Sequence, residues 1–271
     1  MAYKDILVYA DADDHAASYL DVATSLASAH GAHLVALHVL PPPVVPADIT
    51  TAVPVEFIEW QEEYAKQQAE KARQQVSAAQ QRSGVNIEWR AVDGVVLSTV
   101  LLHSHYADLV VLSQSESGSV GALPETVVMG SGRPALIVPS RGRFPTVGKR
   151  VLVAWNRTRE ATRALHDSLP LLERATSVTI MEVNPEGGRH RHIAGADIAA
   201  HLARYGVKVD VASTTAPDID VGDAILSRVA DLGVDCLVMG AYSHSRLREF
   251  AFGGATRHVL ESMTVPVLMS H

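Results

Sequence analysis

A single cysteine, Cys236, stands in the 271 residues, so no disulfide can form within the chain. It lies in the apolar run Cys236–Met239, where a cysteine reads as a small buried hydrophobe rather than a nucleophile. Aromatic residues make up only 5% of the chain, and no apolar run is long enough to span a bilayer. A charged start followed by an apolar secretory core is also missing. Basic residues are outnumbered: 23 Lys and Arg against 30 Asp and Glu leave a net charge of −7, with no long basic run. Non-specific nucleic-acid binding, which needs Lys and Arg clustered on one face, is therefore not expected. The phosphate-loop pattern GxxxxGK[ST] and the dinucleotide fingerprint GxGxxG are absent as well. Together these absences lead us to expect a cytoplasmic protein with no membrane and no nucleic-acid partner.

What is present is a regular alternation of apolar runs and helical patterns. Strands are expected at 5–10, 33–40, 85–92, 108–113 and 135–139, with helices at 15–29, 55–82, 95–106 and 124–130 between them. The runs DILVYA and HLVALHVL are nearly continuous in apolar residues, as in strands buried on both faces of a parallel sheet. Gly31 is placed to close the first helix. The helix over 55–82 is polar and Gln-rich without sustained apolar heptads, so it reads as a solvated crossover rather than a coiled coil. Residues 141–148, RGRFPTVG, suit a linker. After it the order restarts, with strands at 150–155, 177–183, 207–213, 235–240 and 266–269 and helices at 159–174, 194–205, 220–232 and 255–262.

The chain thus repeats one α/β unit, with expected domains at residues 1–142 and 148–271. Such alternation implies open parallel sheets with helices on both faces. Ligands of such sheets bind beyond the strand C-terminal ends, where the strand order reverses. In the second copy those ends carry Asn156 and Gly240. Gly240 lacks a Cβ, so a ligand could approach its backbone closely. Gly253 and Gly254 precede the helix that begins at Ala255, whose free N–H groups and dipole favour phosphate. Between the glycines lie Ser243, His244 and Arg246, a hydroxyl and cationic set suited to a polyphosphate. Asn156 offers both a carbonyl and an NH2 to an adenine edge.

This layout resembles the universal stress protein family, in particular its tandem two-domain members. Nucleotide-binding members carry Gly-x2-Gly-x9-Gly followed by Ser or Thr. Here Gly240 and Gly253 stand at the first and third glycines, Ser243 at the second and Gly254 at the hydroxyl position. The family often has an acidic residue after the first strand; Asp11 stands there in the first copy and Asn156 in the second. The resemblance implies two repeated five-stranded sheets of the adenine-nucleotide alpha-hydrolase-like type, paired through their final strands, 135–139 and 266–269. It further implies ATP or ADP, with Mg2+, at Asn156, Gly240, Ser243, His244, Arg246, Gly253, Gly254 and Ala255. In the first copy Ser113, Glu116, Gly121 and Ala122 replace the motif, and Glu116 puts a negative charge where phosphate would sit. That copy is expected to be mainly a structural partner. The implied role is a stress-response regulator acting as a homodimer or through pairing of its two halves. The alternative is a stress protein that binds no nucleotide and works through protein contacts.

Catalysis has little support. No motif names a placed water, a metal or a general base, so slow ATP hydrolysis is the most that is entertained, and no catalytic or metal residue is assigned. An adenylating enzyme would need a second substrate pocket, and no motif marks one. The His190-Arg191-His192 cluster could bind a metal with His201 or touch phosphates of a ligand across the cleft, but two histidines at this spacing on a loop read first as a solvated loop.

Overall fold

The computed structural model describes residues 2–44, 54–114, 122–184, 195–215, 218–242 and 254–271. The first half contains β1 (Asp5–Tyr9), α1 (Ala16–His30), β2 (His33–Leu40), α2 (Val55–Ser83), β3 (Ile87–Asp93), α3 (Val96–Ser104), β4 (Leu109–Ser113), α4 (Ala122–Gly130) and β5 (Ala135–Val138). The second contains β6 (Arg150–Ala154), α5 (Arg159–Asp167), α6 (Leu169–Leu172), β7 (Ser177–Val183), α7 (Ala196–Ala203), β8 (Val209–Thr214), α8 (Val221–Leu232), β9 (Cys236–Gly240), α9 (Ala255–Ser262) and β10 (Val267–Ser270).

All ten strands join one sheet in the order β3-β2-β1-β4-β5-β10-β9-β6-β7-β8. Each half is parallel within itself. Among the described residues the only antiparallel pairing is the joint, where Val267, Leu268 and Met269 of β10 lie opposite Ile137, Leu136 and Ala135 of β5. The two five-stranded sheets expected from the sequence are therefore one continuous sheet, paired through the final strands. Because the joint is antiparallel, the strand C-terminal edges of the two halves face opposite ways.

Both faces of the sheet are covered, which explains the unbroken apolar runs. In β1, Ile6 and Val8 enter the core beneath α1, whereas Leu7 enters the core on the other face. The first core also takes Val151, Leu165 and Val238 from the second half, so it runs across the joint. Phe144 and Val147, in the connection between the halves, pack against this core, so the connecting stretch is anchored. Tyr3 Oη donates to the Asp167 carbonyl at 2.8 Å, and Gln114 Nε2 to the Leu260 carbonyl at 2.7 Å, tying the halves further.

Two helices differ from expectation. The helix expected over 159–174 is broken into α5 and α6 around Ser168. Pro170 has no N–H to continue the ladder, and the Ser168 hydroxyl donates to the Leu165 carbonyl at 2.8 Å. The polar α2 is buried only at Ala72, Val76 and Ala79, as a crossover helix in solvent should be.

Candidate functional site

In the second half the strand order reverses between β6 and β9, which places the exits of these two strands at the switch point. β6 leaves the sheet at Ala154, and the Trp155 N–H is held by the Met181 carbonyl at 2.9 Å. Asn156, exposed, turns the chain: its Oδ1 accepts from Thr158 Oγ1 at 2.7 Å and from the Thr158 N–H at 3.3 Å. Thr158 then caps α5, its hydroxyl accepting from the Ala161 N–H at 3.2 Å. With the carbonyl oxygen so engaged, the NH2 is the part of Asn156 left to meet a ligand.

Arg157 takes the left-handed conformation at φ 62°, an uncommon one for a residue with a Cβ. Its guanidinium reaches both oxygens of Glu182, at 3.3 and 3.2 Å. Glu182 lies at the same end of the neighbouring β7 and is buried, and among the described residues Arg157 is the cation that neutralises it.

Gly240 ends β9. A Cβ there would fall 2.5 Å from the Glu160 carbonyl carbon and also collide with the Ala161 nitrogen. The close backbone approach expected of a ligand at Gly240 is thus made by the first turn of α5. Glu160 is itself buried. Burial alone would raise its pKa, but its own backbone N–H, then Arg159 and His271, outweigh that and hold its carboxyl below the ordinary range. Past Gly240, the Ala241 carbonyl meets His271 Nδ1 at 3.0 Å. Tyr242 is left-handed at φ 56°, and its N–H is taken by Thr256 Oγ1 at 3.1 Å. That bond draws the start of α9 to the exit of β9.

Gly254 is the N-cap of α9 and supplies no side-chain cap. The first-turn N–H groups beginning at Ala255 therefore point outward with the helix dipole behind them, an arrangement that accepts an anion. Of the residues singled out in the sequence, the structure places Asn156 and Gly240 at the ends of adjacent strands and Gly254 and Ala255 at the start of α9. Ser243, His244, Arg246 and Gly253 lie outside the described residues. Sequence reasoning missed Arg157, Glu182, Tyr242 and Thr256. The Asn-x-Thr turn before α5 was the available signal for the first; nothing local pairs Arg157 with a residue of β7.

At the matching place in the first half, the described polar groups are engaged by one another or by the neighbouring half. Tyr19 Oη donates to Asp11 Oδ1 at 2.6 Å, and burial raises the Asp11 pKa despite that bond. His38 Nδ1 donates to the Ala10 carbonyl at 2.7 Å, and its ring stacks on Trp89. Gln114, just past β4, is spent on the end of α9. Glu116 and Gly121 lie outside the described residues. Cys236 is fully buried, and its burial pushes the thiol pKa far up, as befits a core residue.

His190 and His192 lie outside the described residues; His201 meets His166 instead, Nε2 to Nε2 at 3.1 Å. Among the described residues one group, Asp220, Asp223 and His258, brings possible metal-ligand atoms within 4.8 Å of one another. Its members already have partners: Asp220 caps α8 through the Gly222 N–H, and His258 pairs with Asp223 at 2.8 Å.

Comparison with known proteins gives a consistent answer. The model of the Universal stress protein family matches residues 2–139 and again 148–271. A curated relative, the universal stress protein Slr1230 of Synechocystis, is 27% identical over 159 residues, covering 56% of this chain and 51% of its own. The chain thus spans about half the length of that relative. A universal stress protein structure from Archaeoglobus fulgidus superposes with a TM-score of 0.74 at 18% identity, over 98% of this chain and 95% of that one. A putative universal stress protein from Pseudomonas aeruginosa gives 0.58 at 13% identity, over 99% and 93%. At these identities the structural likeness speaks for the fold.

Proposed function

This chain belongs to the universal stress protein family, and from that premise we propose that its second half binds an adenine nucleotide, ATP or ADP with Mg2+, to regulate a cytoplasmic stress response. On this reading residues 1–142 form a structural domain and 148–271 the ligand-sensing one. The observation that carries it is the start of α9, which no side chain among the described residues caps, held against the exit of β9 by the Tyr242–Thr256 bond. Phosphates would sit on the N–H groups from Ala255 onward, with Ser243, His244, Arg246, Gly253 and Gly254 as the surrounding loop. The Asn156 NH2 would donate to the base. Gly240 would contribute by letting α5 close against the strand and bring Asn156 within range. Magnesium commonly rides on phosphate oxygens and water, so it asks for no dedicated protein cage.

Thermal unfolding with and without millimolar Mg–ATP tests the reading, with Ala255→Glu as the companion variant. A carboxylate in the first turn favours the helix but repels phosphate, so the variant should fold well. Ligand at a hundred times its dissociation constant stabilises the native state by about 2.7 kcal/mol. We expect an upward shift of several degrees in the wild type and none in Ala255→Glu. No shift in the wild type would overturn nucleotide binding and leave a protein that works through protein contacts.

A further inference from the structure

The helix α2 runs for 29 residues, whereas its counterpart α7 has 8. Its buried residues begin only at Ala72. Its ties to α1 and the loop before it are Lys71 to Asp14 at 2.7 Å, Gln75 to the Asp13 carbonyl at 2.7 Å and Arg82 to Asp21 at 2.7 Å. All lie at or beyond residue 71. Among the described residues, the earlier turns are tied to the rest of the chain by the reciprocal pair between Gln61 and the backbone of Val44. Those turns form an overhang that adds little to the core.

An overhang in water should be polar, yet this one carries aromatic residues in a chain that has few. Phe57, Trp60 and Tyr64 are 42%, 60% and 52% exposed. Their spacing of three and four puts them on one helix face. The rings stack in sequence, Phe57 on Trp60 at 6.1 Å and Trp60 on Tyr64 at 5.7 Å. Val55 and Val44 are exposed in the same region. A contiguous apolar surface of this kind marks an interaction site more often than chance placement.

Charge decides between occupants. Glu56, Glu59, Glu62 and Glu63 accompany the ladder, all exposed, with Lys66 the nearest basic residue along the helix. Glu56 and Glu63 flank Trp60 at spacings of four and three, so their carboxylates border the aromatic face. A second copy laid ladder to ladder would set these carboxylates against their own kind, between chains that each carry −7. Arginine suits the surface on both counts, because its guanidinium stacks on aromatic faces and forks onto carboxylates. We propose that the Phe57–Trp60–Tyr64 ladder of α2, bordered by Glu56 and Glu63, is a docking surface for an arginine-rich amphipathic segment of another protein. This site is separate from the mouth of the second half and does not depend on nucleotide binding.

The test is calorimetric titration of the full chain with a synthetic arginine–leucine amphipathic helix, beside its glutamate–leucine twin. Two double variants serve as controls, Trp60→Ala with Tyr64→Ala and Glu56→Gln with Glu63→Gln. All four positions are exposed, so unchanged circular dichroism is expected of both. The arginine peptide should bind the wild type and the glutamate peptide should not. Removing the two rings should weaken binding by about tenfold or more. The glutamine pair should weaken it and flatten its salt dependence. Equal binding to the wild type and both variants would mean that the peptide answers only to net charge, and would overturn the proposal. So would absence of binding, or a wild-type dimer in sedimentation that the ring-less variant dissolves, which would make a second copy the occupant.

Discussion

Asp11 and Asn156 stand at the same place in the two halves, yet their surroundings give them different chemistry. Asp11 is enclosed beside Tyr19, and burial lifts its pKa above the ordinary 3.8. A folded pKa above the unfolded one means that the folded state prefers the protonated carboxyl. Ionisation at neutral pH therefore costs stability, and that cost disappears as pH falls through the folded value to below the unfolded one. Asp11→Asn, which keeps an oxygen for Tyr19, should raise the unfolding free energy at pH 7. The advantage should vanish below about pH 4, as urea melts at both pH values would register. Asn156 is exposed and locked into the cap of α5 through its oxygen. Read alone, its amide offers a base both a donor and an acceptor; the turn it helps to build leaves the donor. The kind of residue at this position was legible in the chain. Which of its atoms is free depends on Thr158, two residues on, and on the turn that joins them.

At the scale of elements, the contact between α5 and β9 organises the second half. Gly240 is required because the backbone of α5 lies where a side chain would be. Gly240→Ala should separate helix from strand and destabilise the protein by about 1–3 kcal/mol, as overpacking commonly does. The denaturant midpoint would record this without any ligand present. If the substitution were neutral, α5 would not be seated as described. The spacing of glycines in the chain pointed to this position, but the reason for it is different from the one the motif suggests. A glycine marks close approach without saying what approaches; that is fixed by residues eighty positions earlier, whose arrival in space no local pattern encodes. The break between α5 and α6 has the opposite history. Pro170 states it in the sequence, and the apolar residues around it obscure it by continuing the helical period.

For the whole molecule, the joint of β5 and β10 matters most. Leu136 and Leu268 pair there fully buried, and the core beneath α1 and α5 runs across it. Two halves sharing a sheet and a core should unfold as one. Trp60 and Trp89 report on the first half and Trp155 on the second, so single-tryptophan variants retaining Trp89 or Trp155 should melt at the same midpoint. Separate midpoints would show the halves to be independent. The repeat and the strand and helix order were present in the linear pattern, because alternation of apolar residues, caps and turn glycines are local matters. The pairing of the final strands was expected only through the family resemblance, and the service of Gly240 to α5 and the pairing of Arg157 with Glu182 were not legible at all. Each joins residues far apart in the chain, and such contacts exist only once hydrophobic burial has brought the two halves together.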